Sequence, residues 1–152
     1  MTYNEALSTV HKAYYLNQED EALGGYTDAP VGTPTTGYRV YAIDEQGHRY
    51  SPVRGVKSEA LEHGVYYWHN LEIAKAYMVY LADAYRSREQ TYGIFRVEAI
   101  KGNRHESIYD EHSAHYGQVA TDLNIIDDEL QAVLTPEMLR LARQNPNHEL
   151  FS

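Results

Sequence analysis

The chain has no cysteine, two phenylalanines, one tryptophan and no apolar run near membrane-spanning length. Without cysteine there are no disulfides, thiolate metal ligands or thiol nucleophiles. Every apolar stretch falls well short of the roughly 20 residues that cross a bilayer, so no membrane anchor is expected. The opening MTYNEALSTVHKAYY lacks a basic segment followed by an apolar one. No secretory leader is therefore expected, and the expected location is the cytoplasm. Three motifs are also missing: the GxxxxGK(S/T) phosphate loop, a GxGxxG after a strand and a GxSxG nucleophile elbow. No Ser/His/Asp constellation stands out in the local sequence.

What is present is ordinary in bulk and unusual in detail. At 152 residues, with 43% hydrophobic and 23% charged residues, the chain has the length and composition of one globular domain. Tyrosine is the exception, with 15 residues. A tyrosine joins a large apolar ring to a hydroxyl that needs a partner, so it suits either a core margin or an interface. Charge is the second exception. The net is −9, from 13 Lys+Arg and 22 Asp+Glu. Residues 1–36 sum to −4, residues 37–104 to +2 and residues 105–152 to −7. An acidic whole disfavours nonspecific nucleic-acid binding, which needs cations to displace counterions. It suits a partner protein with a basic surface, with encounter speeded by the field.

Periodicity predicts the elements. Residues 2–23 read as a helix, with Thr2 as N-cap, Glu5 completing a capping box, and Tyr3, Leu7, Val10 and Tyr14 in one stripe. Gly24 and Gly25 end it, and residues 24–37 read as a linker. The main domain is then 38–152. YRVYAID (38–44) and HRYSPV (48–53) form a hairpin, and GVYYW (64–68) is a short strand. Asn70 caps a helix whose apolar positions Leu71, Ala74, Met78, Leu81 and Tyr85 recur at three-four spacing. TYGIFRVEAI (91–100) is a strand with Phe95, Val97 and Ala99 on one face and Arg96 and Glu98 on the other. QVATDLNII (118–126) reads as the last strand, and Thr135 with Pro136 opens a final short helix. No strand–helix–strand alternation is sustained. The fold class is therefore α+β, a mainly antiparallel sheet of about five strands with a central packed helix, an N-terminal helix and a short C-terminal helix.

Four clusters carry candidate chemistry. His112 and His115, beside Asp110 and Glu111, have a spacing that can share a metal, but no third ligand follows at a zinc-site interval. Tyr66, Trp68 and His69 stand where a strand runs into a capped helix, a place where free N–H groups meet anions and partners. Asp127, Asp128 and Glu129 form an acidic run, read as solvating the segment after the last strand. Arg86, Arg88, Arg96, Lys101 and Arg104, interleaved with Tyr85 and Tyr92, are the densest basic stretch. That stretch has the form of a nucleic-acid footprint, but its acidic flanks argue against direct binding.

Residues 38–130 resemble a loosely defined set of uncharacterised phage and bacterial domains. The resemblance rests on Tyr38-Arg39-Val40-Tyr41, on Gly64-Val65-Tyr66-Tyr67-Trp68 with Leu71, Glu72, Ala74 and Tyr77, and on Tyr92-Gly93-Ile94-Phe95-Arg96-Val97-Glu98. Glu106 and Val119 to Ile125 follow. A more distant similarity is to ADP-ribosyltransferase folds. It implies NAD as cofactor, Arg39 at the first position, Tyr66 with Ala74 and Tyr77 at the second, and Glu111 or Glu129 as the late acid.

Three functions are expected from these features. The first is a small acidic accessory protein of phage type, without a cofactor. It would bind and modulate a host protein, such as a defence or nucleic-acid-binding factor. Its contacts would be Tyr66, Trp68, His69, Asp110, Glu111, Asp127, Asp128 and Glu129. The second is the ADP-ribosyltransferase-like enzyme. The third is a structural protein that self-assembles as a homo-oligomer, with Tyr3 and Tyr14 as a seam.

Overall fold

The computed structural model describes residues 1–16, 34–51, 56–57, 65–68, 70–89, 92–103, 119–121 and 127–151. The chain is α+β. Its elements are α1 (Tyr3–Leu16), β1 (Pro34–Ile43), β2 (Arg49–Ser51), β3 (Val56–Lys57), β4 (Val65–Tyr67), α2 (Leu71–Ala84), β5 (Ile94–Asn103), β6 (Val119–Thr121), β7 (Asp127–Leu134) and α3 (Pro136–Gln144). A single 3₁₀ turn, Arg86–Arg88, follows α2.

The main sheet runs in the order β3-β2-β1-β5-β7. Every pairing in it is antiparallel. Four strands carry it, with the two-residue β3 at one edge. Its spine is β1 against β5, paired from Pro34 opposite Asn103 to Ile43 opposite Ile94. The hairpin from β1 to β2 turns at Asp44–His48. There the Asp44 carboxylate accepts the Gln46 and His48 amides at 3.0 and 2.8 Å, and Gly47 takes φ +83°, a left-handed conformation that favours glycine. The small pair β4–β6 is tied to the main sheet by Trp68 and Tyr38, which exchange two backbone hydrogen bonds of 2.7 Å.

The helices share one apolar core with one face of this sheet. Asn70 has extended backbone, and its side chain accepts the Ile73 amide, so α2 starts where the cap requires. Arg86 ends it by donating to the Asp83 carbonyl at 2.8 Å, a cation at the negative end of the helix. Between these ends α2 buries Ile73, Ala74, Tyr77, Met78, Leu81 and Ala82. They meet Val40 and Ala42 of β1, Phe95 and Val97 of β5, and Leu134 of β7. The α1 helix packs against α2 and buries Ala6 and Val10. Its N-cap is Thr2, whose hydroxyl accepts the Glu5 amide at 3.1 Å. The Thr135 hydroxyl caps α3 in the same way at 3.2 Å, with Pro136 in the first turn. The two chain ends are stitched together: Leu150 donates to the Met1 carbonyl at 2.7 Å, and the Met1 amino group pairs with Glu149.

Two sequence expectations need correction. The strand read from Tyr38 begins at Pro34, so the last residues of the segment read as a linker already pair with β5. The last strand is β7, not the segment 118–126, of which β6 takes Val119–Thr121. The acidic run Asp127-Asp128-Glu129 opens this strand instead of following one. A register shift at Val97/Glu98 hides the pattern of β7. Leu130 pairs with Glu98 and Ala132 with Val97, leaving Gln131 as the extra residue, so the two-residue period is broken.

Candidate functional site

Two polar assemblies are built on this frame. The first lies on the sheet face opposite α2. Arg39 and Tyr41 alternate with Val40 and Ala42 on β1, and register places Arg39 across from Glu98 and Tyr41 across from Arg96. Arg39 donates through Nε and Nη2 to one oxygen of Glu98 at 3.1 and 3.0 Å. The Tyr41 hydroxyl donates to the other oxygen at 2.6 Å, and Arg49 of β2 reaches that oxygen at 3.3 Å. Both guanidiniums stack over the Tyr41 ring, at 4.9 and 5.4 Å. Arg39, Tyr41 and Glu98 are 6%, 1% and 5% exposed, so three strands converge on one buried carboxylate.

The electrostatics suit structure better than proton transfer. Burial alone would push the Glu98 carboxyl up. The Tyr41 hydroxyl, then Arg39 and Arg49, outweigh it and hold the carboxyl below its ordinary value. Burial and the bond to Glu98 raise the Tyr41 hydroxyl. The acid stays ionised and the phenol stays protonated, so neither is poised as a general base or nucleophile near neutral pH. The strand pattern had placed Glu98 on the polar face but gave no sign that this face is buried there. The legible signal was charge complementarity between alternate residues of two strands, Arg39 and Glu98.

The second assembly is a groove of about 200 Å³ between the end of α2, the 3₁₀ turn, the start of β5 and the junction of β7 with α3. Ala82, Phe95, Leu134 and Leu139 form an apolar lining, with Tyr85 and Tyr92 beside them. Arg86, Arg140 and Arg143 stand among its lining residues. Arg140 holds both oxygens of Glu89 at 2.9 and 3.0 Å. Arg143 pairs with Asp83 and lies 3.5 Å from the Tyr3 hydroxyl, so one guanidinium ties α1, α2 and α3. Burial, then Asp83, raises the Tyr3 hydroxyl.

Trp68 is fully buried, its ring 5.1 Å from that of Tyr77, so it packs in the core and offers no surface anchor. Its indole nitrogen is buried and finds no acceptor among the described residues. Arg39 is committed to Glu98. Glu129 is exposed and pairs with Ala99, on the opposite sheet face from Arg39, so these two cannot flank one substrate. Tyr66 lies in β4 beside Ala120, and Asp127 and Asp128 begin β7 opposite Lys101 and Ile100. Tyr3 faces Arg143 and Asp83 within the molecule. His69, Asp110, Glu111, His112, His115 and Arg104 lie outside the described residues. Among the described residues no group of three or more His, Asp or Glu could hold a metal ion, and no helix is long and apolar enough to cross a membrane. Of the basic stretch, Arg86 with Tyr85 and Tyr92 joins the groove, whereas Arg96 belongs to the sheet face.

No family model matches the chain, and no curated protein or solved structure matches it.

Proposed function

We infer that the protein is a binding module that recognises a partner protein with a basic surface. The partition of charge carries this reading. Residues 37–104 hold 10 of the 13 Lys+Arg and 8 of the 22 Asp+Glu, a net of +2. The two ends carry the acidic excess, −4 in residues 1–36 and −7 in residues 105–152. Several charges of the described residues pair with one another, as in Arg39–Glu98, Arg140–Glu89 and Arg143–Asp83. The acidic excess of the two ends would steer a cationic partner. A host factor with a nucleic-acid-binding surface has the matching chemistry, and the resemblance to phage-type domains points to the same target class.

A tagged pull-down from host lysate, washed at low and then moderate salt, identifies the partner. Two variants then test the electrostatics: Glu19→Gln with Asp20→Asn and Glu21→Gln, and Asp110→Asn with Glu111→Gln. Association should slow, its salt dependence should flatten, and the melting temperature should hold. Association rates equal to the parent's at low salt would overturn the reading.

A further inference from the structure

The groove beside α2 and α3 gathers three arginines in a protein of net charge −9. Its floor is dry: Ala82, Phe95, Leu134 and Leu139 are each 6% exposed or less. Tyr85 and Tyr92 meet edge to face, 6.0 Å apart at 88°, and give it an aromatic wall. Arg86, Arg140 and Arg143 are 53%, 58% and 39% exposed. Among the described residues two carboxylates, Asp83 and Glu89, pair with these three cations, leaving one positive charge over. Among the described residues each guanidinium is engaged through Nη1 alone. Each carries five N–H donors, so most remain available.

We propose that this groove binds a small-molecule carboxylate with a compact aromatic or branched apolar body. The volume of about 200 Å³ lies below the roughly 300–1,000 Å³ of sites for drug-sized ligands. It has room for one ring and a short chain, and not for a dinucleotide. The floor and the tyrosine wall take the apolar body. The spare charge suits a monoanion, and a guanidinium fork matches the two oxygens of a carboxylate. Phosphate monoesters carry more charge than the groove leaves unbalanced.

The test titrates benzoate, phenylacetate, 3-phenylpropionate and 4-methylpentanoate into the isotope-labelled full chain, followed by amide chemical shifts. At least one should saturate and move the amides of Gly93, Leu134 and Leu139. The matching neutral carboxamide should bind at least about 10-fold more weakly, because charge-assisted bonds are lost. Arg140→Gln should weaken the carboxylate about 5- to 10-fold while the rest of the spectrum is preserved. Arg86→Gln, also exposed, is the second variant. The proposal is overturned if none of the four saturates, if the carboxamide binds equally, or if the shifts map elsewhere. It is also overturned if only the peptide Gly-Gly-Gly-Phe binds, which would make the occupant a chain terminus.

Discussion

On β1, Val40 and Ala42 face α2, while Arg39 and Tyr41 face the other side of the same sheet. On β5, Val97 and Glu98 divide in the same way. The helix-covered face is held by apolar area, which has no direction and tolerates graded change in volume. The other face is held by one carboxylate that satisfies three donor groups at 2.6 to 3.3 Å. Such a network is close to neutral as a whole when compared with a well-packed apolar substitute. Losing the carboxylate leaves the buried Arg39 without its counterion. The two faces should therefore fail differently, one by degrees and the other at a single step.

Glu98→Gln should have the largest effect, a loss of about 3–5 kcal/mol in urea unfolding, because Arg39 stays buried without its counterion. A loss below about 1 kcal/mol would place both faces under the same rule. On the apolar face, Met78→Ala should lose about 2–5 kcal/mol, depending on how far the cavity collapses. Met78→Leu, which nearly conserves volume, should lose less than about 1.5 kcal/mol. Equal losses for the two Met78 variants would remove the graded behaviour on which the contrast depends.

Acid should separate the faces again. The Glu98 carboxyl is held below its ordinary value. Its contribution to stability is therefore fully present above the unfolded-state pKa of about 4.3, and is lost as the pH falls through the lower folded-state value. Urea midpoints measured from pH 7 to pH 3 should fall for the parent. They should fall less steeply for Glu98→Gln and keep the parent's slope for Met78→Ala. Parallel curves for parent and Glu98→Gln would show that other carboxylates set the acid limb.

The apolar face was largely legible in the sequence. Asn70 before the three-four spacing of α2 and Thr135-Pro136 before α3 mark helix starts by local chemistry, and Phe95-x-Val97 marks a half-buried strand. The polar face was legible only as alternation. That Glu98 meets Arg39, 59 residues away, depends on the register of β1 against β5, which no local pattern states. The strand β7 was hidden because three acids precede its apolar residues and the shift at Val97/Glu98 breaks its period. Half of the groove was visible as Arg86 between Tyr85 and Tyr92. The other half, Arg140 and Arg143, arrives from α3 and is brought there by packing alone.

Smaller effects refine the comparison from the helical side. Thr135→Ala removes the acceptor of the Met138 amide and should lower stability by about 1 kcal/mol. That is well under the Glu98→Gln loss, because the freed amide at a helix start can turn to water. Proton exchange of the first-turn amides of α3 should accelerate, while those of β5 keep the parent's rates. Uniform acceleration in both would mean that the cap is coupled to the sheet, not confined to its helix.

The smallest effect is expected at Arg140. Arg140 and Glu89 form a two-point contact across 51 residues, much as Arg39 and Glu98 do across 59. The two pairs share their chemistry and nearly the same span of chain. They differ in burial of the side chains: 58% and 47% exposed for one pair, 8% and 6% for the other. In solvent the attraction is screened, and either partner left alone is rehydrated. Arg140→Gln should therefore change the unfolding free energy by at most about 1 kcal/mol. Repeating the measurement in molar salt should shrink even that difference, while the Glu98→Gln deficit should persist, because screening hardly reaches a buried pair. A salt-insensitive loss at Arg140 would mean that its stem, packed along the groove wall, stabilises the α3 junction by contact and not by charge.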